Sequence, residues 1–102
     1  MKTKLVTVAR KDELRPGESK VVAAKNRTIA LYNVEGTFYA TDNICPHKGG
    51  PLGEGELQGA SITCPWHGWQ FDVVCGANSV DSKMKLVTYE VHLDGDHVQI
   101  KI

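Results

Sequence analysis

Apolar and polar residues alternate with a period of two through the first forty positions, the mark of half-buried β-strands. From Thr3 to Ala9, Leu5, Thr7 and Ala9 fall on one face and Val6 and Val8 on the other. Arg15-Pro16-Gly17 predicts a turn. Ser19 to Ala24 and Thr28 to Asn33 predict the next short strands, joined around Lys25-Asn26. Glu35-Gly36 predicts a tight turn into a strand over Thr37-Phe38-Tyr39-Ala40. Near the other end, Lys85 to Leu93 and His97 to Ile102 predict a hairpin about Asp94-Gly95. That dipeptide suits a type I′ turn, which needs positive φ at both central residues. No segment carries a 3.6-residue apolar period, so the pattern predicts an all-β chain, a small sandwich or barrel.

The middle breaks the alternation. Between Asn43 and Gly76 lie seven of the ten glycines and three of the four prolines, a density that predicts loops instead of long regular elements. Glycine lets such loops bring their backbone close to a compact object. There are no repeats, linkers or low-complexity stretches.

Length adds that the 102 residues suit one domain, residues 1–102, with a modest core that a bound cofactor would help to staple. The 12 basic and 12 acidic residues cancel and form no basic stripe, so neither a nucleic-acid nor an anionic-membrane partner is expected. The expected partner is another protein or a small redox donor. Met1-Lys2-Thr3-Lys4-Leu5 opens no long apolar stretch, and no run approaches the ~18 apolar residues of a spanning helix. Lys11-Asp12-Glu13-Leu14 spells a retention signal that is read only at a C-terminus. A cytosolic location is the expectation. There, an odd set of three cysteines, Cys45, Cys64 and Cys75, points to metal or redox use instead of a disulfide framework.

Two clusters carry the candidate chemistry. Cys45-Pro46-His47 and Cys64-Pro65-Trp66-His67 read C-x-H, sixteen intervening residues, C-x-x-H. Each supplies one thiolate and one imidazole. Two metal readings fit four such ligands. One is a structural zinc, although zinc modules usually pair Cys with Cys and His with His. The other is a binuclear iron–sulfur site whose irons carry different ligand pairs, so that each loop is pinned to both metals.

The run Cys45-Pro46-His47-Lys48-Gly49-Gly50-Pro51-Leu52, followed by Cys64-Pro65-Trp66-His67-Gly68-Trp69 and then Phe71-Asp72 and Gly76, resembles the Rieske iron–sulfur family. It looks most like the soluble ferredoxins that feed ring-hydroxylating oxygenases, and it is also similar to the small subunit of NAD(P)H-dependent nitrite reductases. The resemblance implies a Rieske fold: three stacked antiparallel sheets with a cluster-binding subdomain of two loops, about residues 43–76. It implies one [2Fe–2S] cluster, with Cys45 and Cys64 on the inner iron and His47 and His67 on the outer one, facing solvent. Lys48, Gly49, Pro65, Trp66, Trp69 and Phe71 would surround the ligands. Neutral imidazoles in place of two thiolates ease reduction, and Rieske centres span about −150 to +300 mV against about −400 mV for plant-type ferredoxins. The titratable imidazoles imply a potential that falls at high pH.

Respiratory and photosynthetic members brace the two loops with a disulfide at positions that correspond to Gly50 and Trp66 here. They also place Ser and Tyr hydroxyls near the cluster sulfurs, where this chain has Trp69 and Phe71. Hydrogen bonds to sulfur favour the electron-rich reduced state, so their loss predicts a potential near the low end of the range. The proline-rich covering loop of many members is not evident after Gly76, where Ala77-Asn78-Ser79-Val80 stands.

The resemblance implies an electron carrier that accepts one electron from a flavoprotein reductase and passes it to a terminal oxygenase. The alternatives are the small subunit of a nitrite reductase or similar redox complex, and a zinc-stabilised interaction module. No motif for a mononuclear iron, flavin or nicotinamide site appears, so no bond chemistry is expected of this chain alone. His92 and His97 are expected as surface strand residues, Cys75 as a half-buried thiol, and Glu54 and Glu56 as solvated charges. Trp66 and Trp69 bracket His67 and are expected to screen the sulfurs from water, one of them at a docking surface. Lys48 is open between tuning the charge near His47 and being an ordinary loop lysine.

Overall fold

The period-two segments become strands because each can bury one face while its backbone groups pair with a neighbour. A computed structural model describes residues 4–45, 50–66, 68–78 and 85–102. Its strands are β1 (Leu5–Arg10), β2 (Ser19–Ala24), β3 (Arg27–Val34), β4 (Thr37–Asp42), β5 (Glu56–Gln58), β6 (Ser61–Thr63), β7 (Gln70–Asp72), β8 (Thr88–Tyr89), β9 (Val91–Asp94) and β10 (His97–Lys101). Two short 3-10 turns, Lys11–Glu13 and Leu52–Glu54, are the helical elements among the described residues. The strands form three antiparallel sheets in the orders β1-β10-β9, β2-β3-β4-β8 and β5-β6-β7, the all-β architecture expected.

The middle sheet separates two cores. Its strand β3 carries the unbroken apolar run Ile29-Ala30-Leu31-Tyr32, all at 0 % exposure, as a strand buried on both faces requires. Ile29 and Leu31 face a first core with Val22, Phe38, Val98 and Ile100. Ala30 and Tyr32 face a second core with Cys45, Leu52, Ile62, Cys64 and Phe71. One strand therefore ties the first sheet to the segment that carries the candidate ligands.

Several sequence expectations change in the structure. In β1 a register shift between Thr7 and Ala9 lets Ala9 join the buried face with Val6 and Val8, where strict alternation had set it opposite them. The predicted strand over Lys85 to Leu93 is two strands. Thr88–Tyr89 pairs with β4, and after Glu90 the chain crosses to pair Val91–Asp94 with β10. Alternation reports which face is buried, not which neighbour supplies the hydrogen bonds. The hairpin turn is centred on Gly95-Asp96, since Asp94 pairs with His97. Only Gly95 has positive φ there, the sign pattern of a type II′ turn and not the expected I′. Lys25-Asn26 and Glu35-Gly36 are the turns with two positive-φ residues. The glycine-rich middle, read as loops, also contains the three short strands of the third sheet.

Candidate metal centre

Each candidate cysteine sits at the mouth of a loop closed by the same backbone bond. The amide of Cys45 donates to the carbonyl of Gly50 at 2.9 Å, and that of Cys64 donates to the carbonyl of Trp69 at 2.8 Å, a step of five residues in both. The preceding residues pair in the same register, Ile44 with Pro51 and Thr63 with Gln70. The two cysteines thus start from the same backbone register. Both thiols are 1 % exposed, lie in the same apolar core and form no disulfide. Beside them, Ile44 and Trp66 are 58 % and 60 % exposed. The buried sulfurs and the exposed apolar side chains next to them face opposite environments.

The tips are held by groups that no sequence motif marks. Asn43 is buried, and its Oδ1 accepts the Gly53 amide at 2.8 Å while its carbonyl accepts the Leu52 amide at 2.7 Å. Gly53 and Gly55 permit this approach. A Cβ on Gly53 would stand 2.6 Å from Val21 Cγ2, and one on Gly55 would stand 2.0 Å from the Thr63 carbonyl oxygen. After the second tip, Asp72 Oδ1 accepts the amides of Val74 and Cys75 at 2.7 and 3.3 Å, and its carbonyl accepts the Gly76 amide. The Phe71-Asp72…Gly76 part of the motif is therefore a turn in which Phe71 is buried and Gly76 takes φ +81°. An Asn or Asp placed just before a glycine-rich loop is the available sequence signal for such roles.

Of the expected surrounding residues, Phe71 is fully buried in the cysteine core, Trp69 packs partly buried against it, and Pro65 and Trp66 are exposed. Phe71 and Trp69 thus pack into the cysteine core, whereas Trp66 is mostly exposed and keeps only part of its ring against Gly50, beside Cys64 Sγ. His47, Lys48, Gly49 and His67 lie outside the described residues, as do Ser79 and Val80 of the expected uncovered segment. Cys75 is exposed and not half-buried, because it sits in a surface turn whose amide is held by the exposed Asp72 carboxylate. His92, His97, Glu54 and Glu56 are exposed, as expected.

Two buried thiols in one apolar core suit soft, thiolate-bound iron. Gly50 keeps a side chain away from one of these sulfurs, because a Cβ there would stand 2.8 Å from Cys64 Sγ. The model of the Rieske [2Fe–2S] domain matches residues 4–90. The chain belongs to the Rieske family.

The Rieske domain is 37 % identical over 91 residues to the ferredoxin component of the naphthalene 1,2-dioxygenase system of Pseudomonas aeruginosa, covering 88 % of each chain. Its fold matches a chain in the complex of reduced oxygenase and oxidized ferredoxin of carbazole 1,9a-dioxygenase with a TM-score of 0.88, at 31 % identity, over 95 % of this chain and 92 % of that one. A nitrite reductase small subunit from Mycobacterium tuberculosis shares the fold with a TM-score of 0.89 at 19 % identity, over 98 % of this chain and 96 % of that one. This Rieske-type ferredoxin carries one [2Fe–2S] cluster, which decides against the zinc alternative. No helix among the described residues is long and apolar enough to cross a membrane.

Proposed function

We propose that Cys45, His47, Cys64 and His67 hold the cluster and that the protein is a cytosolic one-electron carrier from a flavoprotein reductase to a terminal oxygenase. In this reading residues 1–102 are one domain, and about 43–76 form its cluster-binding part. The observation that carries it is the pair of matched tips that bring Cys45 and Cys64 into one buried core. A mixed Cys/His ligand set on each tip would hold the cluster and would pin both loops to it. When bound, the cluster takes up and releases one electron. The chain's own part is to exclude water from the sulfurs with Phe71 and Trp69 and to offer Ile44 and Trp66 as apolar contacts for a partner. It performs no bond chemistry alone. The relative at 37 % identity over 88 % of each chain is a ferredoxin component of an oxygenase system, whereas the nitrite reductase likeness at 19 % bears on fold only, so the oxygenase reading is preferred.

The test begins with iron and acid-labile sulfide analysis and the EPR spectrum of the reduced protein. The expected result is one [2Fe–2S] unit per chain with the signal of a histidine-ligated centre, lost in Cys45→Ser and changed towards all-thiolate behaviour in His67→Cys. Reduced protein should then pass electrons to the oxygenase of a naphthalene dioxygenase system. Absence of iron and sulfide after anaerobic reconstitution, or a His67→Cys spectrum identical to wild type, contradicts the ligand assignment.

A further inference from the structure

Gly50 touches both cysteine-bearing tips at once. Its carbonyl accepts the Cys45 amide at 2.9 Å. Its Cα lies against the other tip, since a Cβ built there would meet Cys64 Sγ at 2.8 Å and Trp66 Cγ and Cδ2 at 3.1 and 3.2 Å. Gly50 is buried, whereas the indole that covers it is 60 % exposed. The ring thus lies against the glycine at Cγ and Cδ2 and leaves much of its surface to solvent. The geometry is that of a clasp: a small residue on one tip receives a large flat one from the other, with a ligand sulfur in the same contact.

We propose that Gly50 and Trp66 are coupled positioning residues that lock the two tips together without a covalent bond and fix the Cys64 sulfur relative to Cys45. The inference rests on the assignment of Cys45 and Cys64 as ligands and goes beyond it, because the clasp consists of residues that bind no metal. Two physical reasons support it. A buried approach this close to a sulfur leaves no room for one methyl, so the position controls where Sγ sits. An indole packed against a glycine buries part of its apolar surface, and the missing side chain lets the two tips come closer than any larger residue would allow.

The test uses holoprotein with Gly50→Ala, Trp66→Ala and both together. Readouts are the EPR g-values of the reduced cluster, its midpoint potential and the rate of cluster loss in chelator. Gly50→Ala should change the g-values and midpoint and speed cluster loss about tenfold, in line with overpacking at a close approach. Trp66→Ala, at an exposed site, should keep the fold and also speed cluster loss. In the double variant the effect of the added methyl should be at least halved, because removal of the ring lets the tip shift. Strict additivity overturns the coupling. Unaltered spectra, potential and loss rate in Gly50→Ala overturn the positioning role. Should Gly50→Ala give no folded protein, Trp66→Ala decides, and a wild-type loss rate in it overturns the clasp. A wild-type protein without iron would instead contradict the ligand assignment, so the two failures are distinct.

Discussion

Tyr32 is fully buried, and its hydroxyl shares a 2.9 Å hydrogen bond with that of Thr41, which in turn reaches the Asp42 carbonyl at 3.0 Å. Burial pushes the phenol proton affinity far above the usual range, with the Thr41 bond opposing it weakly. The folded state therefore keeps this proton to higher pH than the unfolded chain, whose tyrosines ionise near pH 10. That contribution to stability is complete below about pH 10 and is lost as pH rises further. Tyr89 is raised in the same direction by burial and by its hydrogen bond to Asp42. Urea unfolding should thus show stability falling above about pH 10, with a shallower fall in Tyr32→Phe, which also loses about 1 kcal/mol at neutral pH. An identical alkaline slope in the variant contradicts the account. At Phe71, 1 % exposed in the cysteine core, a Tyr hydroxyl would lie near the sulfurs. Phe71→Tyr should raise the midpoint potential, and an unchanged or lower value in a voltammetric titration counts against it.

Individual elements show where local chemistry decides and where it does not. Lys25 and Asn26 have φ of 46° and 66°, values that favour an Asn followed by a Gly. The double substitution Lys25→Asn with Asn26→Gly should stabilise the β2–β3 hairpin by about 0.5–1 kcal/mol, read as a higher urea midpoint. The base of the first tip depends on a more distant group. Asn43→Ala leaves the buried Gly53 amide without its acceptor, at a cost of about 1–3 kcal/mol. Thermal unfolding of the holoprotein checks this, and a loss below a few tenths would show that the tip is held elsewhere. The strand after Lys85 gives the contrasting lesson. Its alternation was legible, but its division between two sheets at Glu90 was not, since the alternation reads the same whichever strand each half pairs with.

At the scale of the molecule, two cores lie on opposite faces of the middle sheet, and only one contains the cysteines. A cluster that joins the two tips restrains the chain chiefly through the second core. Removing iron with a chelator should lower the unfolding temperature. It should also raise amide hydrogen exchange in β5, β6 and β7 more than in β1, β9 and β10. Equal acceleration in all three sheets would show a single cooperative core instead. The low end of the Rieske potential range remains the expectation for the whole protein, because Phe71 and Trp69, the groups that cover the cysteines, bring no hydroxyl to them.

The all-β class, most strand positions and the family are written in the chain itself, because period-two alternation and a Cys-His spacing are local patterns that need no neighbours to be seen. The turn residues Lys25-Asn26 and Glu35-Gly36 were legible for the same reason. The β1 register shift, the partner change at Glu90, the outward side chain of Cys75, and the surroundings of Asn43, Gly50 and Trp66 emerge only in the folded molecule. Those depend on which atoms arrive from distant parts of the chain. The alternation of a strand is silent on its partner, and a glycine's reason for being glycine becomes visible only when the atom that would collide with its Cβ is in place.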